Sequence, residues 1–167
     1  MLYGAHYIPP GEAGTLATLD HMRTVAGASA VSPLVRTVAA SIVADSDRDS
    51  MVHANLLGNW CLQHTAFLPD PSNAEALLVP DDAVRVIARD GLVYCDCDDV
   101  AMLAAALGMS VGLRARFVAV AFDPSGAPFA HVWCELGDPD GVRWLTVDPE
   151  ADRLIMPSVT RSQVVEV

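Results

Sequence analysis

Between Thr15 and about Phe67, alanine, leucine and valine recur at steps of three and four, with breaks near Gly27 to Pro33 and Asp45 to Ser50. That period is one face of an α-helix, so two or three helices are expected there. In the last of them Val52, Leu56, Asn59 and Gln63 form one stripe and Leu57, Trp60 and His64 an adjoining one, with "LPDPSN" ending the helix. The stretch "NAEALLVPDDAVRVIARDG" reads as a turn of helix, a proline break and a short helix closing at Gly91. From Asp98 or Asp99 to Leu107 the pattern is helical again, stopped by Gly108, and its acidic first residues suit a helix N-terminus. The period then falls to two. "RARFVAVAF", "FAHVWCEL" and "VRWLTVD" read as strands, with turns at "DPSGAP" and "GDPDG". Helices followed by an antiparallel sheet are the order of an α+β domain.

The last two strands can be set in register. If the hairpin closes through Asp138 to Gly141, Gly137 faces Val142, and counting outward sets Cys134 opposite Leu145, Trp133 opposite Thr146 and His131 opposite Asp148. Alternation puts His131, Trp133, Glu135, Trp144, Thr146 and Asp148 on one face, and Val132, Cys134, Leu136, Leu145 and Val147 on the core face. The two tryptophans are expected to pack across the strands.

Composition narrows the function. At 167 residues, 52% hydrophobic, the chain is long enough for one domain with a sizeable core. With 21 acids against 10 bases the formal charge is -11, which offers nucleic-acid phosphates little to hold. The longest apolar run, about Val100 to Leu113, is short of the ~20 residues that span a bilayer. The first residues, "MLYGAHYIPPGEAG", lack a basic stretch followed by an apolar one, so a cytoplasmic protein is expected. Two tyrosines and a Pro-Pro-Gly break make residues 1–14 an N-terminal arm ahead of a domain over 15–167.

The four cysteines, Cys61, Cys95, Cys97 and Cys134, are then expected as thiols. Cys61 lies on an apolar helix and Cys134 on the core face, where both pack. Cys97 stands at or beside the N-cap of the 98–107 helix. An aspartate beside a histidine fixes one imidazole nitrogen as N–H and leaves the other to take a proton from a thiol. The helix dipole and an imidazolium both favour thiolate, so Cys97 is expected to ionise readily despite Asp98 and Asp99, whose side chains turn to backbone N–H groups of the first turn. No Cys/His set has zinc spacing, and neither metal nor cofactor is expected.

"CDCDDVAMLAAALGMSVGLRARFV", "HVWCEL" and "WLTVDP" together resemble the transglutaminase-like superfamily, over residues 91–150 above all. The resemblance implies the transglutaminase-like, papain-like cysteine proteinase fold. It also implies a triad of Cys97 as nucleophile, His131 as base and Asp148 as orienting carboxylate, with "CDCDD" like the bacterial and tailed-phage form of the family. Cys95 stands where that form has glycine, and reads as a turn residue. The implied activity is acyl transfer or amide hydrolysis on a protein or peptide, with water or an amine such as lysine as acceptor. The Cys97 backbone N–H and a side chain upstream, Gln63 or Trp60, are the oxyanion candidates. The alternative is a phage or mobile-element assembly protein, virion-associated, that keeps the frame and binds a neighbouring subunit through its arm.

Overall fold

The computed structural model describes residues 11–70, 76–123, 125, 129–151 and 158–167. Five helices come first to hand: α1 (Glu12–Ala30), α2 (Pro33–Val43), α3 (Ser50–His64), α4 (Pro80–Asp90) and α5 (Cys97–Ser110). Their ends follow local chemistry. Pro33 and Pro80 open α2 and α4, where a missing N–H costs nothing. The Asp49 side chain caps α3 by accepting from the Met51 N–H at 2.7 Å. Gly91, at φ 80°, closes α4 in the left-handed region. Among the described residues no single helix is long and apolar enough to cross a membrane.

Helix α5 is the centre of the molecule, buried without interruption from Asp98 to Gly108. Helices α1, α2, α3 and α4 pack around it, and its remaining side meets the sheet. Its alanines let neighbours approach closely, and the approach is tightest at Gly108, where a Cβ would stand 2.5 Å from Leu136 Cδ2. Gly108 is therefore a packing glycine. The helix runs through it to Ser110, past the stop expected from sequence, and the chain turns at Gly112, φ 87°.

The main sheet is antiparallel, with strands β3 (Arg114–Ala121), β4 (His131–Gly137), β5 (Trp144–Val147) and β6 (Arg161–Glu166) in the order β5-β4-β3-β6. Two short strands, β1 (Thr65–Phe67) and β2 (Val93–Cys95), pair in parallel beside it, Phe67 against Cys95. Neither of these nor β6 is predicted from the sequence pattern. Of the arm expected over 1–14, residues 1–10 lie outside the described residues and Glu12 to Gly14 already belong to α1.

The β4–β5 register corrects the sequence reading by two residues. Gly137 pairs with Trp144, Leu136 with Leu145 and Cys134 with Val147. Asp138 sets this. Its main chain bonds Arg143 and Gly141, and its carboxylate accepts from the Val142 N–H (2.8 Å), the Arg143 N–H (3.3 Å) and Arg143 Nε (3.0 Å). A shift of two keeps every side chain on its expected face, so the core still takes Val132, Cys134, Leu136 and Val147. It does separate the tryptophans: the Trp144 ring lies over Gly137, and Trp133 sits beside His131.

Candidate active site

Three elements deliver the predicted residues. The β1–β2 pair follows α3 and α4 and anchors the chain at Cys95; Asp96 continues extended (φ -107°, ψ -162°), and Cys97 is the first residue of α5. The Val132 backbone N–H favours the ionised form of its sulfur. His131, the neighbour of Val132, opens β4, and Asp148 follows β5 directly. With the corrected register the two meet diagonally rather than face to face. His131 Nε2 lies 2.9 Å from Asp148 Oδ1, with only 3% and 5% of the side chains exposed. A carboxylate can only accept, so Nε2 carries the hydrogen and Nδ1 is left for another partner. That nitrogen lies 3.7 Å from Glu150 Oε2, a residue that sequence reasoning passed over.

The electrostatics reverse one expectation. The Cys97 thiol is pushed up to about 12: burial is the largest cause, the Val132 N–H opposes it, and the charges of Asp98, Asp96 and Glu150 raise it further. Burial and carboxylates outweigh a helix N-terminus, so the resting group is a thiol, not a thiolate. Cys95 is raised to about 12 by burial first, then by the charges of Asp99, Asp96 and Asp98. Burial also pushes Cys61 and Cys134 up. Cys97 remains the least buried of the four.

Asp99 is pushed up to about 7 by burial first, then by the charges of Asp96 and Asp70, against the pull of the Leu78 N–H that its Oδ1 accepts at 2.6 Å. Asp98 Oδ1 accepts from the Asp99 N–H at 2.8 Å. Both side chains do turn to backbone donors, though Asp99 reaches Leu78 rather than its own first turn. Carboxylate oxygens of Asp96, Asp98 and Asp99 lie within 4.8 Å of one another, and among the described residues these are the three that could share a metal ion.

A cleft of about 250 Å³ opens beside the pair, lined by Leu62, Thr65, Phe67, Cys95, Val100, Asp148 and Pro149. It reaches Asp148 and Cys95. Cys97 and His131 are not in its lining. Cys95 is thus a cleft residue and not a mere turn residue; its place at the end of a strand followed by an extended Asp96 turns it inward, a geometry invisible without β2. Neither oxyanion candidate lines the cleft. Gln63 is exposed because it stands two residues from Cys61, and the buried stripe of α3 is Ala54, Leu57, Gly58 and Cys61. Trp60 stacks on His64, ring centroids 4.6 Å apart.

The family model of the transglutaminase-like superfamily matches residues 36–149, more than half of the chain. Comparison with curated proteins gives no match. Among solved structures, one described as a "putative protease" from Parabacteroides distasonis ATCC 8503 superposes with a TM-score of 0.62 at 16% identity. The superposition covers 95% of this chain and 30% of that one, so this chain spans less than a third of its length. At that identity the likeness is one of fold.

Proposed function

Since the chain belongs to the transglutaminase-like superfamily, we propose that Cys97, His131 and Asp148 act as a thiol triad on an amide or ester carbonyl of a protein or peptide. The observation that carries this is the buried His131–Asp148 bond of 2.9 Å, with the N–H of the very next residue, Val132, acting on the Cys97 thiol. Because the thiol rests protonated, His131 works as a general base during attack rather than as half of a standing ion pair. The Cys97 sulfur bonds to the carbonyl carbon as its proton passes to Nδ1, while Asp148 stabilises the imidazolium through Nε2. The Cys97 backbone N–H faces the developing oxyanion. Collapse expels the amine or alcohol with the proton from Nδ1 and leaves a thioester. Water or an amine then takes the acyl group, returning its own proton through His131 and freeing the thiol.

A second reading, a family frame kept for assembly in a phage or mobile element, draws on the thiol's resting protonation and on Cys95 in the cleft. A p-nitrophenyl acyl ester separates the two. Under the enzyme reading mass spectrometry finds the acyl group on Cys97, and Asp148→Asn slows its appearance by about a thousandfold or more by turning the imidazole to the wrong tautomer. Acylation of Cys95 instead, or none at all, rejects the triad.

A further inference from the structure

The turn after β5 brings a second carboxylate to His131. The Glu150 N–H donates to Asp148 Oδ1 at 2.9 Å and the Ala151 N–H to the Asp148 carbonyl at 3.4 Å, so the chain curls back over Pro149. This places Glu150 Oε2 at 3.7 Å from Nδ1, the nitrogen that Asp148 leaves open. Glu150 also bears on the Cys97 thiol, which puts its charge on the nucleophile's side of the ring. The contact is loose, beyond hydrogen-bond length but within ion-pair range. Glu150 keeps 20% of its side chain exposed, against 3% for His131, so of the two it is the one free to move toward solvent.

We propose that Glu150 is a positioning residue which occupies the Nδ1 side of His131 in the free protein, and that its withdrawal hands this nitrogen to Cys97. The proposal rests on the reading of His131 as the base for Cys97. Pro149 lines the cleft and joins the two carboxylates, so a group bound there touches the segment that carries Glu150. Binding and release of the base are thereby linked without a separate lid.

Among the described residues the other charged groups about this pair are few. Asp96 and Asp98 reach Cys97 from the start of α5, Asp148 holds Nε2, and Glu135, two residues beyond Trp133 on the same face, is committed to Arg116 at 2.6 Å. Removal of Glu150's charge therefore leaves Asp96 and Asp98 acting on the thiol as before.

The test needs no substrate. Alkylation of each cysteine by iodoacetamide is followed from pH 6 to 10 by site-resolved mass spectrometry, in the wild type, Glu150→Gln, His131→Ala and the double variant. Glu150→Gln is expected to speed Cys97 about three- to tenfold at pH 8 and to shift its profile to lower pH, since one pKa unit is a tenfold change in thiolate. Cys95 serves as the internal reference. In the His131→Ala background the gain shrinks to the direct effect of Glu150's charge on the thiol, because the freed nitrogen is no longer there; His131→Gln takes its place if the alanine variant does not fold. No gain in Glu150→Gln, or an equal gain without His131, overturns the proposal, the latter by showing a charge effect alone. Should the ester leave no acyl group on Cys97 while this coupling persists, the triad reading fails and the Glu150 contact stands.

Discussion

The two ends of the β4–β5 ribbon treat charge in opposite ways. At the turn end every acid named above has a cation. Asp138 holds Arg143, which also reaches Asp49 at 3.5 Å; Glu135 holds Arg116, whose guanidinium lies 3.9 Å over the Trp144 ring; Arg114 meets Glu166 at 3.1 Å. Asp138 is held below the usual carboxylate range, its burial outweighed by the Val142 N–H and Arg143. At the other end acids crowd acids. Asp96 and Asp70 raise Asp99, and Asp96, Asp98 and Glu150 raise Cys97. All ten basic residues of the chain are arginines, and Arg114, Arg116 and Arg143 fix the frame rather than relieve the site. Groups whose titration is shifted by burial and like charge, gathered at one end of a well-paired frame, mark that end as the candidate site.

The comparison breaks first at Asp99, where the largest effect on stability is expected. Its carboxyl is raised in the folded state from 3.8 to about 7, so the fold holds a proton that the unfolded chain gives up. The stabilisation from that proton is full below about pH 4 and is lost as pH rises through about 7. Asp99→Asn keeps the acceptor for the Leu78 N–H and removes the ionisation. At pH 8 it should stabilise the protein by about 2 to 4 kcal/mol, and the fall in stability between pH 4 and 7 should flatten. Urea melts at pH 4, 6 and 8 measure both. A variant no more stable than the wild type at pH 8 means that the acid-rich end carries no such strain.

How far this contrast could be read from sequence differs between the two ends. The faces that carry His131 and Asp148, and the place of Cys97 at a helix start, were legible because helix and strand periods are long-range regularities, and a two-residue register slip leaves the faces unchanged. The slip itself was not legible, since it depends on Asp138 collecting three donors at once. β1 and β2 have three residues each, too few for an alternating pattern, so Cys95's inward placement could not be seen. β6, "RSQVVE", alternates only weakly and gains its meaning from pairing with β3. The thiol's resting state was misjudged for a different reason: the helix terminus and histidine are visible in sequence, while the depth of burial that outweighs them is a property of the packed molecule.

At the turn end, the next effect in size concerns Gly137. A Cβ there would stand 2.8 Å from the Trp144 ring, a rigid neighbour that Arg116 pins from the far side. Gly137→Ala should cost about 1 to 3 kcal/mol by overpacking, and so lower Tm by roughly 2 to 12 °C. Site chemistry should not follow, because Asp138 still sets the register: Cys97 alkylation at pH 8 is expected within twofold of wild type. A larger change would show that the two ends are mechanically one.

The smallest effect sharpens the same point. Arg116 and Glu135 are partly exposed, 28% and 15% by side chain, so solvent screens their attraction. Arg116→Gln gives up the ion pair and the cation over Trp144 but keeps a side chain of similar reach. The loss should be about 1 kcal/mol or less, and a double-mutant cycle with Glu135→Gln should assign about half of it to the pair itself. Glu135 shares its face with His131, and once Arg116 is gone its charge is the nearest uncompensated one along β4. If that charge reaches the site, Cys97 alkylation in Arg116→Gln slows and Glu135→Gln restores it. If the rate stays within twofold in both, Arg116 acts on the frame alone, and the protonation of the thiol is governed at its own end by burial and by Asp98, Asp96 and Glu150.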